Sequence, residues 1–172
     1  DRVREIGGGH RPRAPRGAAQ RLDAIADEME LTLLRSAASP IVKEGLDASA
    51  ALFSATGETI AQAAAIPIHL GALEFAARRL VQAFPPETMR AGDVFLMNDT
   101  YLTEGSIGHL PDLCSTVPVF HDGEVVAFIQ AFGHHDDIGG RVPGSMPGTA
   151  TTVFEEGLAV PPIKLYSAGV RN

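Results

Sequence analysis

Two apolar runs, residues 113–120 and 125–132, flank the polar tetrapeptide His121-Asp122-Gly123-Glu124. Asp-Gly between such runs is a strong local signal for a β-hairpin. Folding it sets opposite one another residues whose numbers sum to about 245, so Asp112 lies across from Gly133 and His134, with His109 just beyond. Apolar positions at i, i+3, i+4 and i+7 predict an amphipathic helix over residues 18–36, through Leu22, Ile25, Ala26, Met29 and Leu33. Pro40 stands just past its end.

Residues 41–61 read as a second hairpin turning at Ala55-Thr56-Gly57, with Asp47 near its open end. An Asp beside a strand is disfavoured by propensity, so it is either a solvated cap or a residue with work at that end. The segment 66–71 leads into another helical pattern, Leu70, Leu73, Ala76, Ala77, Leu80, Val81 and Phe84, stopped by Pro85-Pro86. His69 at its entrance can cap, pack or contact a ligand. A turn at Arg90-Ala91-Gly92-Asp93 feeds a short strand over 94–97 that delivers Asn98-Asp99, and a long loop follows to Gly108. Residues 139–148 are dense in glycine and proline and match neither the P-loop nor the dinucleotide fingerprint, so they read as a structural turn run. Residues 152–158 predict a short helix or strand and 161–165 an extended stretch. The fold class is α+β: antiparallel hairpins flanked by amphipathic helices.

Composition narrows this picture. The 172 residues suffice for one domain with a real core, at 45% hydrophobic content. A net charge of −7 argues against a nucleic-acid surface. The one basic cluster, Arg2 to Arg16 among Gly and Pro, reads as a disordered tail over residues 1–17, leaving 18–172 as the folded part. A single cysteine, Cys114, excludes an internal disulfide and a cysteine-rich zinc site, and makes a reducing compartment the default. No apolar run approaches the roughly 20 residues of a membrane span, so the expectation is a cytoplasmic protein. The first residue is not Met, and a fragment of something longer is expected.

The chemistry concentrates in residues 98–140. His109, His121, His134 and His135 lie there, interleaved with Asp99, Asp112, Asp136 and Asp137. Imidazole and carboxylate together suit zinc, iron(II), manganese or cobalt. If the strand runs on past Phe132, only one of His134 and His135 shares a face with the first cluster, and a bulge would swap them. Polar loops at hairpin ends also carry His and Asp for solubility alone. Cys114, inside a strand, reads as a small hydrophobe rather than a nucleophile.

Asn98-Asp99-Thr100-Tyr101, His109-Leu110-Pro111-Asp112, Pro118-Val119-Phe120-His121-Asp122-Gly123, His134-His135-Asp136-Asp137-Ile138-Gly139-Gly140, Pro143-Gly144-Ser145-Met146-Pro147 and Glu156-Gly157-Leu158 occur in one order. Together with Pro161-Pro162-Ile163-Lys164-Leu165 and the upstream Ile41-Val42-Lys43-Glu44, Asp47-x-Ser49-x-Ala51-Leu52-Phe53 and Ile66-Pro67-Ile68-His69-Leu70-Gly71, the set resembles the B-type subunit of the hydantoinase/oxoprolinase family over residues 20–172. The resemblance implies the N-terminal, metal-bearing portion of a subunit in an ATP-dependent hetero-oligomer that opens hydantoin, 5-oxoproline or lactam rings. An A-type subunit would bind the ATP and activate the substrate. A divalent zinc, iron or manganese ion would be held at the positions matching Asp47, His109, Asp112 and His134. His135, Asp137 and His69 would then serve proton transfer or support. The rival within the family is an acetone- or acetophenone-type carboxylase subunit; outside it, a truncated non-catalytic assembly module. Two departures stand beside the site: Thr100 where the family carries Pro, and a longer loop from Tyr101 to His109. Both bear on substrate preference.

Overall fold

The computed structural model describes residues 16–64 and 66–172. Of the tail expected over 1–17, residues 1–15 lie outside the described residues, while Arg16 and Gly17 already belong to the first helix, α1 (Arg16–Ser36). The helix packs Leu22, Ala26 and Met29 onto Leu52, Ala61 and Ala63, part of the stripe its periodicity implies, while Ile25 of that stripe is exposed. Next, α2 (Pro40–Lys43) occupies the start of the segment expected to be an extended hairpin arm. The local reason is clear: Ser39 accepts a hydrogen bond from the Val42 amide, and Pro40 fits the first helical turn, where its missing N–H costs nothing. The hairpin proper is shorter than expected, β1 (Ala48–Ser54) and β2 (Thr59–Gln62).

A one-turn 3-10 helix, Pro67–His69, precedes α3 (Leu73–Ala83). Four strands then build the rest: β3 (Val94–Met97), β4 (Asp112–His121), β5 (Glu124–His134) and β6 (Ile163–Ser167), with a short β7 (Val170–Arg171) at the edge. Among the described residues they form one sheet in the order β2-β1-β5-β4-β3-β6-β7, every neighbouring pair antiparallel. One face carries the main core, in which Leu73, Ala76, Ala77 and Leu80 of α3 meet Phe53, Phe95, Phe128 and Phe132. The other face is covered by α1 over β1 and β2. No helix among the described residues is long and apolar enough to cross a membrane.

The central hairpin turns at Asp122 (φ 50°) and Gly123 (φ 85°). Two consecutive positive φ values give a two-residue turn whose twist matches the strands, which is why Asp-Gly is placed there. Near the turn His121 pairs with Glu124 and Phe120 with Val125; beyond it the register shifts so that Val119 pairs with Ala127 and Asp112 with His134. Val126 is the extra residue. This bulge puts His134, rather than Gly133, opposite Asp112.

Asp93 ties the far side of the sheet together. It is fully buried and accepts hydrogen bonds from the Arg90 amide (2.9 Å), the Ala168 amide (2.8 Å) and Lys164 Nζ (2.7 Å). Burial opposes its ionisation, but Lys164 and the two amides outweigh that and hold its carboxyl below the ordinary value. Asp93→Asn is expected to lower stability by about 3 kcal/mol, the range for breaking a buried ion pair. Because the folded pKa is depressed, this contribution is full above the unfolded pKa of about 3.9 and is lost as pH falls through the folded value. Melting curves of both proteins at pH 7 and pH 3 check this: the gap should narrow at the lower pH.

Candidate metal centre

Four chain segments converge at the open end of the central hairpin. His134 ends β5 and Asp112 begins β4, so their pairing places both side chains on the core face. Asp47 arrives from the next strand over: Ala48 pairs with Gly133, and the His134 amide donates to the Asp47 carbonyl (3.2 Å). His109 comes from the loop that leads into β4. His69, in the 3-10 turn before α3, completes the corner.

His109 Nε2 lies 2.9 Å and His134 Nδ1 3.1 Å from the same oxygen, Asp112 Oδ1. The two imidazole rings meet edge to face, 4.7 Å between centroids. Asp47 reaches His134 Nδ1 with one oxygen at 3.7 Å and His69 Nε2 with the other at 3.4 Å. The His69 ring sits edge-on to Phe132, 4.5 Å away. His134 and Asp112 are buried and His109 half-buried. A cavity of about 500 Å³ opens beside them, with Asp47, His69, His109 and Asp112 on its polar side and Ile66, Leu73 and Phe132 on its apolar wall.

The electrostatics follow from these contacts. The hydrogen bond to Asp112 raises the His109 pKa against the opposing effect of burial, with Asp112, Glu156 and Asp47 adding their negative charge. Burial pushes the Asp112 carboxyl up, but the hydrogen bonds and charge of His109 and His134 win, and it ends below its ordinary value. The contacts bring several potential ligand atoms to one corner. One ligand atom each from His109, Asp112 and His134 lies within 4.8 Å of the others. Two buried imidazole nitrogens, His134 Nε2 and His69 Nδ1, have no hydrogen-bond partner. Two imidazoles, a buried carboxylate and a second carboxylate alongside form a donor set that fits a divalent transition ion.

The other sequence-identified residues sit elsewhere. Asp137 accepts from the Gly139 amide (2.7 Å), the Gly144 amide (3.1 Å) and the Ser145 hydroxyl (2.8 Å), so its carboxylate organises the turn run that follows. His135 is exposed; its amide donates to Pro111 (2.9 Å), and it lines a cavity on the α1 side with Leu33, Val42 and Leu113. Asp136 accepts from Ser39 (2.7 Å) and Asp99 from the Tyr101 and Leu102 amides (2.9 Å each). His121 is exposed at the hairpin turn, at the opposite end of the strands. Glu156, which the sequence shows only as part of a motif run, brings its carboxylate to the amide of Leu110, the residue after His109 (2.9 Å).

The family model described as hydantoinase B/oxoprolinase matches residues 18–172. The chain belongs to this family. It is 40% identical over 151 residues to a 5-oxoprolinase of Dictyostelium discoideum, covering 88% of this chain and 12% of that one. It is also 40% identical over 152 residues to the caprolactamase subunit beta of Pseudomonas jessenii, covering 88% and 25% respectively. Among solved structures, nucleotide-free acetone carboxylase superposes with a TM-score of 0.78 at 26% identity, over 91% of this chain and 20% of that chain. The family member described here thus spans between an eighth and a quarter of these relatives' lengths, and the α+β fold is shared with part of a larger enzyme chain.

Cys114 is buried in β4 on the core face, and burial, with the nearby Asp112 charge adding to it, raises its thiol pKa far above the ordinary range. The thiol should resist a disulfide reagent in the folded chain and react only on denaturation. Prompt labelling of the native protein would contradict the packing described here.

Proposed function

We propose that this chain is the metal-bearing portion of an ATP-dependent cyclic amidase, opening a hydantoin, 5-oxoproline or lactam ring with an ATP-binding A-type partner subunit in the cytoplasm. The observation that carries the reading is the convergence of His109, Asp112 and His134, with Asp47 alongside, at the edge of a cavity large enough for a small cyclic amide. Asp47, His109, Asp112 and His134 would hold a zinc, iron or manganese ion. Such an ion supplies a Lewis acid for a carbonyl or phosphoryl oxygen and a lowered pKa for water.

The chain's own residues do the rest. Asp112 fixes both imidazoles through one oxygen, and Asp47 joins His134 to His69. His69 faces the cavity from a buried position, held by Asp47 and the Phe132 ring, and is the group proposed to hold or pass a proton there. The apolar wall of Ile66, Leu73 and Phe132 limits water and suits the hydrocarbon part of a ring. Asp137 acts in support by holding the glycine-rich turn beside the strand end, and His135 only through its amide, which donates to the Pro111 carbonyl next to Asp112.

A second reading, carboxylation of an activated ketone, is favoured by the likeness to acetone carboxylase. Assays with ATP and the partner subunit separate the two: ring opening of lactams or 5-oxoproline, or bicarbonate incorporation into a ketone. A third reading, a non-catalytic assembly module, is met by His109→Ala and His134→Ala, which that reading expects to leave both activity and partner binding unchanged.

Elemental analysis gives the first check. About one equivalent of metal should be bound and be lost in His109→Ala and Asp112→Ala. Affinity should fall as pH drops through the raised pKa of His109, because a proton then competes for the ligating nitrogen. A well-folded chain that takes up no metal after reconstitution would sink the proposal.

A further inference from the structure

Leu110 stands between His109 and the Pro111-Asp112 pair, and both of its backbone polar groups are taken by residues far away in sequence. Its amide donates to Glu156 Oε2 at 2.9 Å, and its carbonyl accepts from Asn98 Nδ2 at 2.7 Å. Asn98 is fully buried, although an asparagine side chain in the core needs all its partners to avoid a desolvation penalty. It has them: Nδ2 also donates to the Leu158 carbonyl (2.9 Å), and Oδ1 accepts from the Val160 amide (2.5 Å).

Glu156 has equally firm support. It closes the one-turn 3-10 helix Val153–Glu156, whose start is a capping box between Thr152 and Glu155. The Arg141 amide donates to the Glu155 carbonyl (2.7 Å) and the Leu158 amide to the Ile138 carbonyl (3.1 Å), while Gly139 bridges Gly157. The two segments touch backbone to backbone: a Cβ at Gly140 would stand 2.7 Å from the Glu156 carbonyl oxygen. Asp137, through Ser145 and two amides, holds that turn in shape. The glycine-rich run is thus the far anchor of a strut that ends on Leu110.

We propose that Glu156 and Asn98 are positioning residues, a two-point clamp on Leu110 that sets His109 against Asp112 before any ion arrives. The inference rests on the metal-centre reading above. Without the clamp, His109 would hang from a long loop, and ordering that loop would be charged against ion binding. Partners that fix a ligating histidine commonly matter about 10- to 100-fold in metal affinity.

The test is zinc affinity by competition with a chromophoric chelator, with cobalt(II) visible absorption as the readout of ligand arrangement. Glu156→Ala is expected to weaken zinc binding about 10- to 100-fold and to change the cobalt spectrum. Glu156→Gln keeps an oxygen acceptor for the Leu110 amide and is expected to restore most of the loss. Should Glu156→Ala fail to fold, Glu156→Asp, which keeps the charge but shortens the reach, carries the same expected weakening. Wild-type affinity in the folded Ala or Asp variant, or a Gln variant as weak as Ala, would overturn the clamp while leaving the metal centre standing. A wild-type chain that binds no zinc would overturn both.

Discussion

The register of β4 against β5 is the constraint on which the candidate site depends. Side chains alternate faces along a strand, so a slip of one residue would send His134 to the α1 side and leave Asp112 facing Gly133. The bulge at Val126 sets that register, and the Asp122-Gly123 turn fixes where counting begins. Pairing of β1 with β5 then brings Asp47 to the same corner. Three segments separated by some 90 residues of sequence, from Asp47 to His134, meet because two strand pairings agree.

The corner is also where buried charge concentrates. Asp112 is buried with a depressed pKa, a state maintained by two imidazoles directed at one of its oxygens. Asp47 adds a second carboxylate facing the same histidine. Two buried imidazole nitrogens lack partners. Compare Asp93, whose buried carboxylate is met by a lysine and two amides and is complete within the chain. Asp112 is met instead by two imidazoles with a second carboxylate alongside, the donor set proposed to hold an ion.

Much of this was legible beforehand. Helical periodicity found α1 and α3, because each buries a single stripe, and Asp-Gly found the central hairpin. The extended arm expected from Ile41 failed because Ser39 and Pro40 start a helical turn, a local signal that outweighed the β-branched Ile41 and Val42. Choosing between His134 and His135 was beyond counting, since one extra residue at Val126 reverses the answer and nothing about a valine announces a bulge. Resemblance to the family pointed to His134, and the register gives the physical reason it faces Asp112. Glu156 and Asn98 were hidden for another reason: their role is to hold backbone, and a hydrogen bond to Leu110 leaves no mark in the sequence of Leu110.

The most direct measurement is an anomalous-difference map from crystals of the chain grown with zinc, collected at the zinc absorption edge. The expected result is one strong peak bounded by His109, Asp112 and His134, with Asp47 beside it. A peak elsewhere, or none in crystals whose hairpin register matches that described here, would contradict the metal centre.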